Sequence, residues 1–218
     1  MENEVLTDRI NFLDLKGQYD QIKDEVHAAI QNVIDQTAFS GGPFSKEFED
    51  NFAAYCGVKY AVAVNSGTSA VHLAMIAAGI GEGDEVIVPA NTFIATAWGV
   101  SYVNATPVFV DCDAETWNID PTKIEESITS KTKAIIGVHL YGQPCDVDAI
   151  KEIAERNDIL MIEDSAQAHG ARYKETTVGG LCEMGCFSFY PGKNLGAYGE
   201  GGAVTMNSEK YCKHIQKL

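Results

Sequence analysis

The 218-residue chain carries 31 acidic and 16 basic residues, for a net charge of −15, and 45% of it is hydrophobic. This composition is typical of a globular protein with one large core, while the negative charge argues against a nucleic-acid partner, whose phosphates need a basic face. No apolar run approaches the roughly 20 residues that cross a bilayer, so we also expect no membrane partner.

The N-terminus and the cysteines both indicate a cytoplasmic protein. Met1 to Arg9 is acidic and polar, so it lacks the basic and apolar regions of a signal peptide. The cysteines contain no CxxC pair, and no histidine completes a zinc site with them. We therefore expect free thiols and no metal. The cysteines are Cys56, Cys112, Cys145, Cys182, Cys186 and Cys212.

Two helices are predicted in the first quarter of the chain, after an N-terminal arm of residues 1–17. Gln18–Gln36 has apolar residues at helical spacing. Ser45–Tyr55 forms the second helix, with Ser45 as its N-cap and Gly57 at its end. From about residue 18 to 218 we expect one continuous α/β domain, since no linker-like segment interrupts it.

From Tyr60 onward, short apolar runs alternate with helical segments of about ten residues. Such alternation predicts a mostly parallel sheet with helices on both faces. The predicted strands are Tyr60–Val64, Glu85–Val88, Val108–Val110, Ala134–Val138, Ile159–Ile162, the aromatic run at 185–189, and Ala203–Met206. The predicted helices are Ser69–Ala78, Thr92–Val103, Pro121–Ile128, Asp146–Arg156 and Glu209–Leu218.

A candidate anion site lies between the first strand and its helix. The segment Asn65-Ser66-Gly67-Thr68-Ser69 combines a glycine with hydroxyl side chains where helix N–H groups are exposed. The GxxxxGK[ST] pattern of a P-loop is absent. An ordinary N-cap with no ligand remains the alternative.

Two further candidates follow other strands, where ligands of parallel sheets gather. Asp164 comes directly after an apolar strand, and a carboxylate in such a place needs a positive or hydrogen-bonding partner. Phe93 follows Pro89 and could stack on a flat ligand. A helix cap for Asp164 and core packing for Phe93 remain the alternatives.

The fourth candidate is Lys193, which comes five residues after Ser188. It lies in a glycine-rich loop that begins at Pro191-Gly192. A lysine that is desolvated in a cleft loses its proton more easily and can form a Schiff base. A solvated surface lysine is the alternative. Taken together, an anion site, a carboxylate, an aromatic ring and a loop lysine suggest pyridoxal 5′-phosphate, which needs a partner for each of its parts.

The motifs around these residues resemble the sugar-nucleotide aminotransferases of the DegT/StrS type. These enzymes have the aspartate-aminotransferase-like fold, called fold type I. The resemblance runs from about Ile10 to the end of the chain. The motifs are Glu163-Asp164-Ser165-Ala166-Gln167-Ala168-His169-Gly170, Ser188-Phe189 with Lys193-Asn194-Leu195 and Gly199-Glu200-Gly201-Gly202, Ser66-Gly67-Thr68, and Asn91-Thr92-Phe93.

The resemblance implies a role for each candidate residue. Lys193 would hold the cofactor covalently and act as the general acid and base, and Asp164 would pair with the pyridine nitrogen. Phe93 would stack on the ring, and Gln167 would lie beside it. The phosphate would be held by Gly67, Thr68, Ser69 and Ser188, and His169 is expected to be structural.

The same resemblance implies the reaction and the partners. An amino group would pass from an amino acid, typically glutamate, to a keto-sugar carried on dTDP or UDP, in a homodimer. The segment Tyr190–Ala197 is most similar to enzymes that aminate C3, and the residue after the lysine, Asn194, is expected to face the substrate. Amination at C4 is the alternative within the family. Lys193 argues against the dehydratases, which have histidine there.

Family members continue into a smaller C-terminal domain, which we expect to lie outside this chain. We therefore expect the 218 residues alone to be a poor catalyst. Two other readings remain open: a non-catalytic remnant that binds the cofactor, and a Rossmann-like nucleotide-binding domain, which the lack of GxGxxG disfavours.

Overall fold

The first helix starts earlier than its apolar stripe predicts. The computed structural model describes residues 12–218, and helix α1 covers Leu15–Asp35 within them. It begins there because the Asp14 carboxylate accepts a hydrogen bond from the Gly17 N–H and caps the helix. The predicted arm, residues 1–17, lies mostly outside the described residues, and its boundary stays a prediction.

The chain divides by its internal contacts into two units, one ending at Phe44 and the other covering Ser45–Leu218. After α1, the elements follow in an order that alternates strand and helix for most of the second unit. They are α2 (Pro43–Cys56), β1 (Tyr60–Val64), α3 (Gly67–Ala78), β2 (Glu85–Pro89), α4 (Ala95–Ser101), β3 (Thr106–Val110), β4 (Thr132–Val138), α5 (Val147–Arg156), β5 (Leu160–Asp164), β6 (Arg172–Tyr173), β7 (Thr176–Thr177), β8 (Met184–Ser188), β9 (Gly202–Met206) and α6 (Glu209–Ile215).

A seven-stranded sheet in the order β1-β9-β8-β5-β4-β2-β3 forms the centre of the second unit. Strand β9 runs antiparallel to both of its neighbours, whereas the other neighbouring pairs are parallel. The predicted mostly parallel sheet is confirmed, although the reversed direction of β9 was not predicted. The strand order also differs from the 3-2-1-4-5-6 order of the Rossmann fold, so that reading is wrong.

Alternate residues of each central strand enter two separate hydrophobic cores, one on each face of the sheet. Along β5, for example, Ile162 belongs to the core under α3 and α6, and Met161 belongs to the core under α2 and α5. This period of two is the expected signature of a sheet buried on both faces. It also means that neighbouring Glu163 and Asp164 point to opposite faces.

Several predicted helices differ from the observed ones. Pro121–Ile128 forms two short 3-10 turns, Pro121–Lys123 and Glu125–Ser127, instead of one helix. Helix α2 starts at Pro43, where a proline is favourable, so Ser45 lies in the first turn and is not the cap. Helix α4 is shorter at both ends than the predicted Thr92–Val103.

The cysteines agree with the expectation of free thiols. All six cysteines are free thiols. Among residues 12–218, none of the helices combines the length and the apolar character needed to cross a membrane.

Candidate active site

A cavity of about 590 Å³ opens at the carboxyl ends of β1, β5 and β8. These ends meet at one edge of the sheet because the three strands run in the same direction. Seven of the eight predicted site residues line this cavity, although they are spread over more than 120 positions of the chain. They are Gly67, Thr68, Phe93, Asp164, Gln167, Ser188 and Lys193.

The N-terminus of α3 forms one end of the cavity. Ser66 caps the helix, because its hydroxyl oxygen accepts a hydrogen bond from the Ser69 N–H at 3.1 Å. A Cβ atom at Gly67 would lie 2.5 Å from the Cβ of Ser188, so only glycine allows the helix to start this close to β8. Helix N–H groups and the Ser188 hydroxyl therefore converge on a site suited to an anion.

Ser69 is the predicted site residue that does not line the cavity. Its hydroxyl oxygen accepts a hydrogen bond from the Ser66 hydroxyl at 3.1 Å, and its side chain lines a second cavity beside His72 and Leu73. Ser66, which was not among the predicted ligands, lines the main cavity instead. The predicted contact of Ser69 with a phosphate stays untested.

Asp164 is only 7% exposed, and both of its carboxylate oxygens are held. Oδ2 accepts a hydrogen bond from the Thr96 hydroxyl at 2.7 Å, and Oδ1 accepts one from the Ala166 N–H at 3.1 Å. Asp164 also lines the cavity, and each of its carboxylate oxygens can accept a further hydrogen bond. Neither Thr96 nor Ala166 was predicted.

Lys193 lies in the loop between β8 and β9, and its N–H donates to the Tyr190 carbonyl at 2.8 Å. Partial burial lowers the pKa of its amine below the usual lysine value, and the negative charge of Asp164 opposes that shift. A lysine amine with a lowered pKa is a better nucleophile near neutral pH. The fully solvated lysine of the alternative reading is therefore wrong.

Phe93 and Gln167 line the cavity from two different segments of the chain. The Phe93 side chain is 62% exposed at the cavity, so the alternative of core packing is wrong. Gln167 Oε1 accepts a hydrogen bond from the Tyr141 N–H at 2.8 Å. Tyr141 has a φ of 56°, an uncommon conformation for a bulky residue, and this bond helps to hold it there.

Asn194 does not face the cavity, contrary to the expectation for the residue after the lysine. Its Oδ1 accepts from His169 Nδ1 at 2.8 Å, and its Nδ2 donates to the His169 carbonyl at 3.0 Å. The His169 ring packs against Phe187 and Phe189, and burial lowers the pKa of this ring. The structural role expected for His169 fits these contacts, and the Asn194 argument for C3 amination loses its basis.

Glu163, beside the site carboxylate, is fully buried on the opposite face of the sheet. Its Oε1 accepts hydrogen bonds from the N–H groups of Leu181 and Cys182, both at 2.8 Å. Its Oε2 accepts from the Gly179 N–H at 2.6 Å and from His139 Nε2 at 3.1 Å. This carboxylate thus fixes the loop that leads into β8.

The tautomer of His139 follows from its other neighbour. The Cys145 N–H donates to His139 Nδ1 at 3.2 Å, so the ring hydrogen lies on Nε2 and points at Glu163. All four partners of the Glu163 carboxylate are therefore fixed donors.

The fold and the cavity define an α/β domain with a half-buried lysine, a held carboxylate and a helix N-terminus around one cleft. Residues 20–218 match the profile of the DegT/DnrJ/EryC1/StrS aminotransferase family. The chain belongs to this family, and the predicted fold, the large domain of fold type I, is confirmed.

Its relatives include several sugar-nucleotide enzymes. The chain is 45% identical over all of its 218 residues to the dTDP-3-amino-3,4,6-trideoxy-alpha-D-glucose transaminase of Streptomyces venezuelae, and covers 58% of that protein. It is 54% identical over 179 residues to the GDP-perosamine synthase of Caulobacter vibrioides, which is 82% of this chain and 48% of that one.

Solved structures agree with this assignment. The crystal structure of S. venezuelae DesV in complex with a ketimine intermediate matches with a TM-score of 0.95 and 46% identity, over 96% of this chain and 57% of that one. The structure of ntda from Bacillus subtilis with bound cofactor PMP matches with a TM-score of 0.88 and 35% identity, over 95% and 47%. The chain thus spans about half of the length of its relatives.

Proposed function

We propose that this chain is the cofactor-binding domain of an aminotransferase that uses pyridoxal 5′-phosphate to aminate a nucleotide-linked keto-sugar. The observation that carries the proposal is the convergence of Lys193 and Asp164 on one cavity whose far end is the N-terminus of α3. Family membership supplies the reaction class.

The residues of the cavity fit this cofactor part by part. The α3 N–H groups and Ser188 suit a phosphate, because the glycine at 67 lets the two approach each other closely. Asp164 suits the pyridine nitrogen, since its carboxylate is held in place and the residue lines the cavity. The exposed face of Phe93 suits a flat ring.

When bound, pyridoxal 5′-phosphate supplies an electron sink that lets bonds at a substrate carbon break. Lys193 would hold this cofactor covalently, and its free amine would take up and return the proton that moves during transfer. The lowered pKa of that amine suits both tasks, because it holds a free lone pair nearer to neutral pH.

The substrate is a 3-keto-sugar on dTDP or UDP, with glutamate as the amino donor. Relatives named for a 3-amino sugar or a 3-aminotransferase support C3, among them the S. venezuelae transaminase. The nucleotide has to be tested separately, because another relative is named for a GDP-linked sugar. The whole enzyme should be offered matched 3-keto and 4-keto sugar nucleotides, and the aminated carbon read by NMR. Preferential amination of the 4-keto compound contradicts the C3 assignment and leaves the cofactor assignment standing.

The cofactor assignment has its own test. The purified protein with pyridoxal 5′-phosphate should show a visible absorption band, and borohydride should fix the cofactor to the peptide that contains Lys193. A protein that binds the cofactor but shows no transfer in the whole enzyme would favour the remnant reading. The absence of both the band and the labelled peptide would falsify the proposal.

The proposed assembly is a cytoplasmic homodimer. Three apolar residues lie at four-residue spacing on α4 and its two caps, and each is about half exposed: Ile94, Trp98 and Tyr102. A row of exposed apolar side chains is typical of a protein interface, and free thiols are typical of a reducing compartment. Light scattering should give twice the chain mass, and Y102E should lower it; a monomer at micromolar concentration contradicts the dimer.

A further inference from the structure

Three side chains form a continuous hydrogen-bonded row from the cavity to the site carboxylate. The hydroxyls of Thr92 and Thr96 lie 2.8 Å apart, and the Thr96 hydroxyl lies 2.7 Å from Asp164 Oδ2. Thr92 lines the cavity, whereas Thr96 is 0% exposed. The row therefore connects a half-buried hydroxyl with a buried carboxylate through a residue that no solvent reaches.

The direction of the hydrogens along the row can be worked out. Thr96 donates its hydroxyl hydrogen to Asp164. A threonine hydroxyl has one hydrogen, so Thr96 can only accept from Thr92, which then donates. The hydroxyl of Thr92 is thereby held in one orientation, and it in turn holds the Thr96 hydroxyl toward the carboxylate.

The hydrogen bond from Thr96 restricts the rotation of the Asp164 carboxylate plane, which the single backbone donor does not fix. Ala166 donates its N–H to Oδ1 from the segment after β5, and Thr96 donates to Oδ2 from α4. With donors from two different segments, rotation of the carboxylate plane breaks at least one bond. If the Thr96 hydroxyl is removed, the carboxylate keeps only the longer of the two bonds.

We infer that Thr96 is a positioning residue, which holds the Asp164 carboxylate in the plane that the cofactor ring requires. It acts through Asp164 and does not line the cavity itself. The inference rests on the proposed function, because it gives the carboxylate a ring nitrogen to meet. Losing the oriented, charge-assisted contact should weaken cofactor binding by about tenfold.

The test compares three threonine variants of the whole protein. T96V removes the hydroxyl and keeps the shape, and T96S restores a hydroxyl. T205V is the matched control, because Thr205 is equally buried and also donates at 2.7 Å, but to the Gly179 carbonyl on the other face of the sheet. Each protein is titrated with pyridoxal 5′-phosphate, and affinity, visible circular dichroism per bound cofactor and thermal midpoint are measured.

We expect T96V to bind about tenfold more weakly and to lose circular dichroism, because the cofactor is less firmly oriented. T96S should recover both, and T205V should change only the thermal midpoint. Wild-type affinity and dichroism in T96V overturn the assignment, as does an equal loss of both in T205V. A wild-type protein that takes up no pyridoxal 5′-phosphate overturns the proposed function together with this inference. A wild-type protein that takes it up, with T96V unchanged, overturns this inference alone.

Discussion

Replacing Glu163 by glutamine removes half of the acceptor capacity of a buried carboxylate that accepts hydrogen bonds from four donors. Oε1 faces two backbone N–H groups, and Oε2 faces a third N–H group and His139 Nε2. A glutamine side chain has one acceptor oxygen and one NH₂ group. Whichever way the amide turns, two donors face another donor.

The cost follows from counting those two donors. A buried polar group left without a partner costs about 1–3 kcal/mol, so two of them cost about 2–6 kcal/mol. The neutral amide also removes a buried charge, which offsets part of this loss. We therefore expect E163Q to lower the free energy of unfolding by about 2–4 kcal/mol, a large part of the 5–15 kcal/mol typical of a domain.

Urea unfolding followed by tryptophan fluorescence measures the change. The control is E125Q, because the Glu125 side chain is 59% exposed and pairs with the exposed Arg156. We expect E125Q to cost less than about 1 kcal/mol. The reasoning is refuted if E163Q is as stable as E125Q.

Three further predictions concern the site and the thiols. K193A should abolish borohydride-stable labelling and lower turnover by several orders of magnitude, because both the nucleophile and the proton carrier are lost. The control is K174A, at an exposed lysine, and unchanged labelling of K193A contradicts the assignment. D164N should lower turnover far more than the free energy of unfolding, because the amide keeps the shape and the Thr96 hydroxyl can rotate to accept from the new NH₂ group. Normal turnover of D164N would count against the role of Asp164. The free energy of unfolding should fall as the pH rises above about 9, because burial raises the pKa of the Cys56 and Cys145 thiols to about 12 while the unfolded chain releases those protons near pH 9. Urea unfolding between pH 8 and 11 measures this change, and a free energy of unfolding that does not vary with pH contradicts the prediction.

The strands were predictable because a sheet buried on both faces needs continuous apolar runs. Tyr60–Val64 has the predicted bounds, and the other central strands differ by a few residues at their ends. The direction of β9 was not predictable from its apolar residues, because an apolar run reads the same for either direction. The Pro121–Ile128 segment shows the limit of a capping signal, since a favourable proline starts a turn but does not by itself extend it.

The site residues at strand ends were predictable for the same topological reason, since parallel strands deliver their carboxyl ends to one edge. The partners of those residues were not. Thr96 lies 68 positions before Asp164, and Asn194 bonds to a residue 25 positions away. Such contacts depend on how α4 and the lysine loop pack, which local sequence patterns do not encode. The bond between Ser69 and the cap residue Ser66 was not predicted either, and the phosphate contact of Ser69 stays a prediction.

The reversed strand β9 sets the order in which the domain can be completed during synthesis. Strand β1 has β9 as its partner in the sheet, and about 140 residues separate them. At 5–20 residues per second, the ribosome needs roughly 7–28 s to supply that partner. Until then β1 has no partner strand in the sheet, and Lys193 belongs to a loop with only one end anchored. A nascent chain can therefore build most of the sheet before the candidate site is complete.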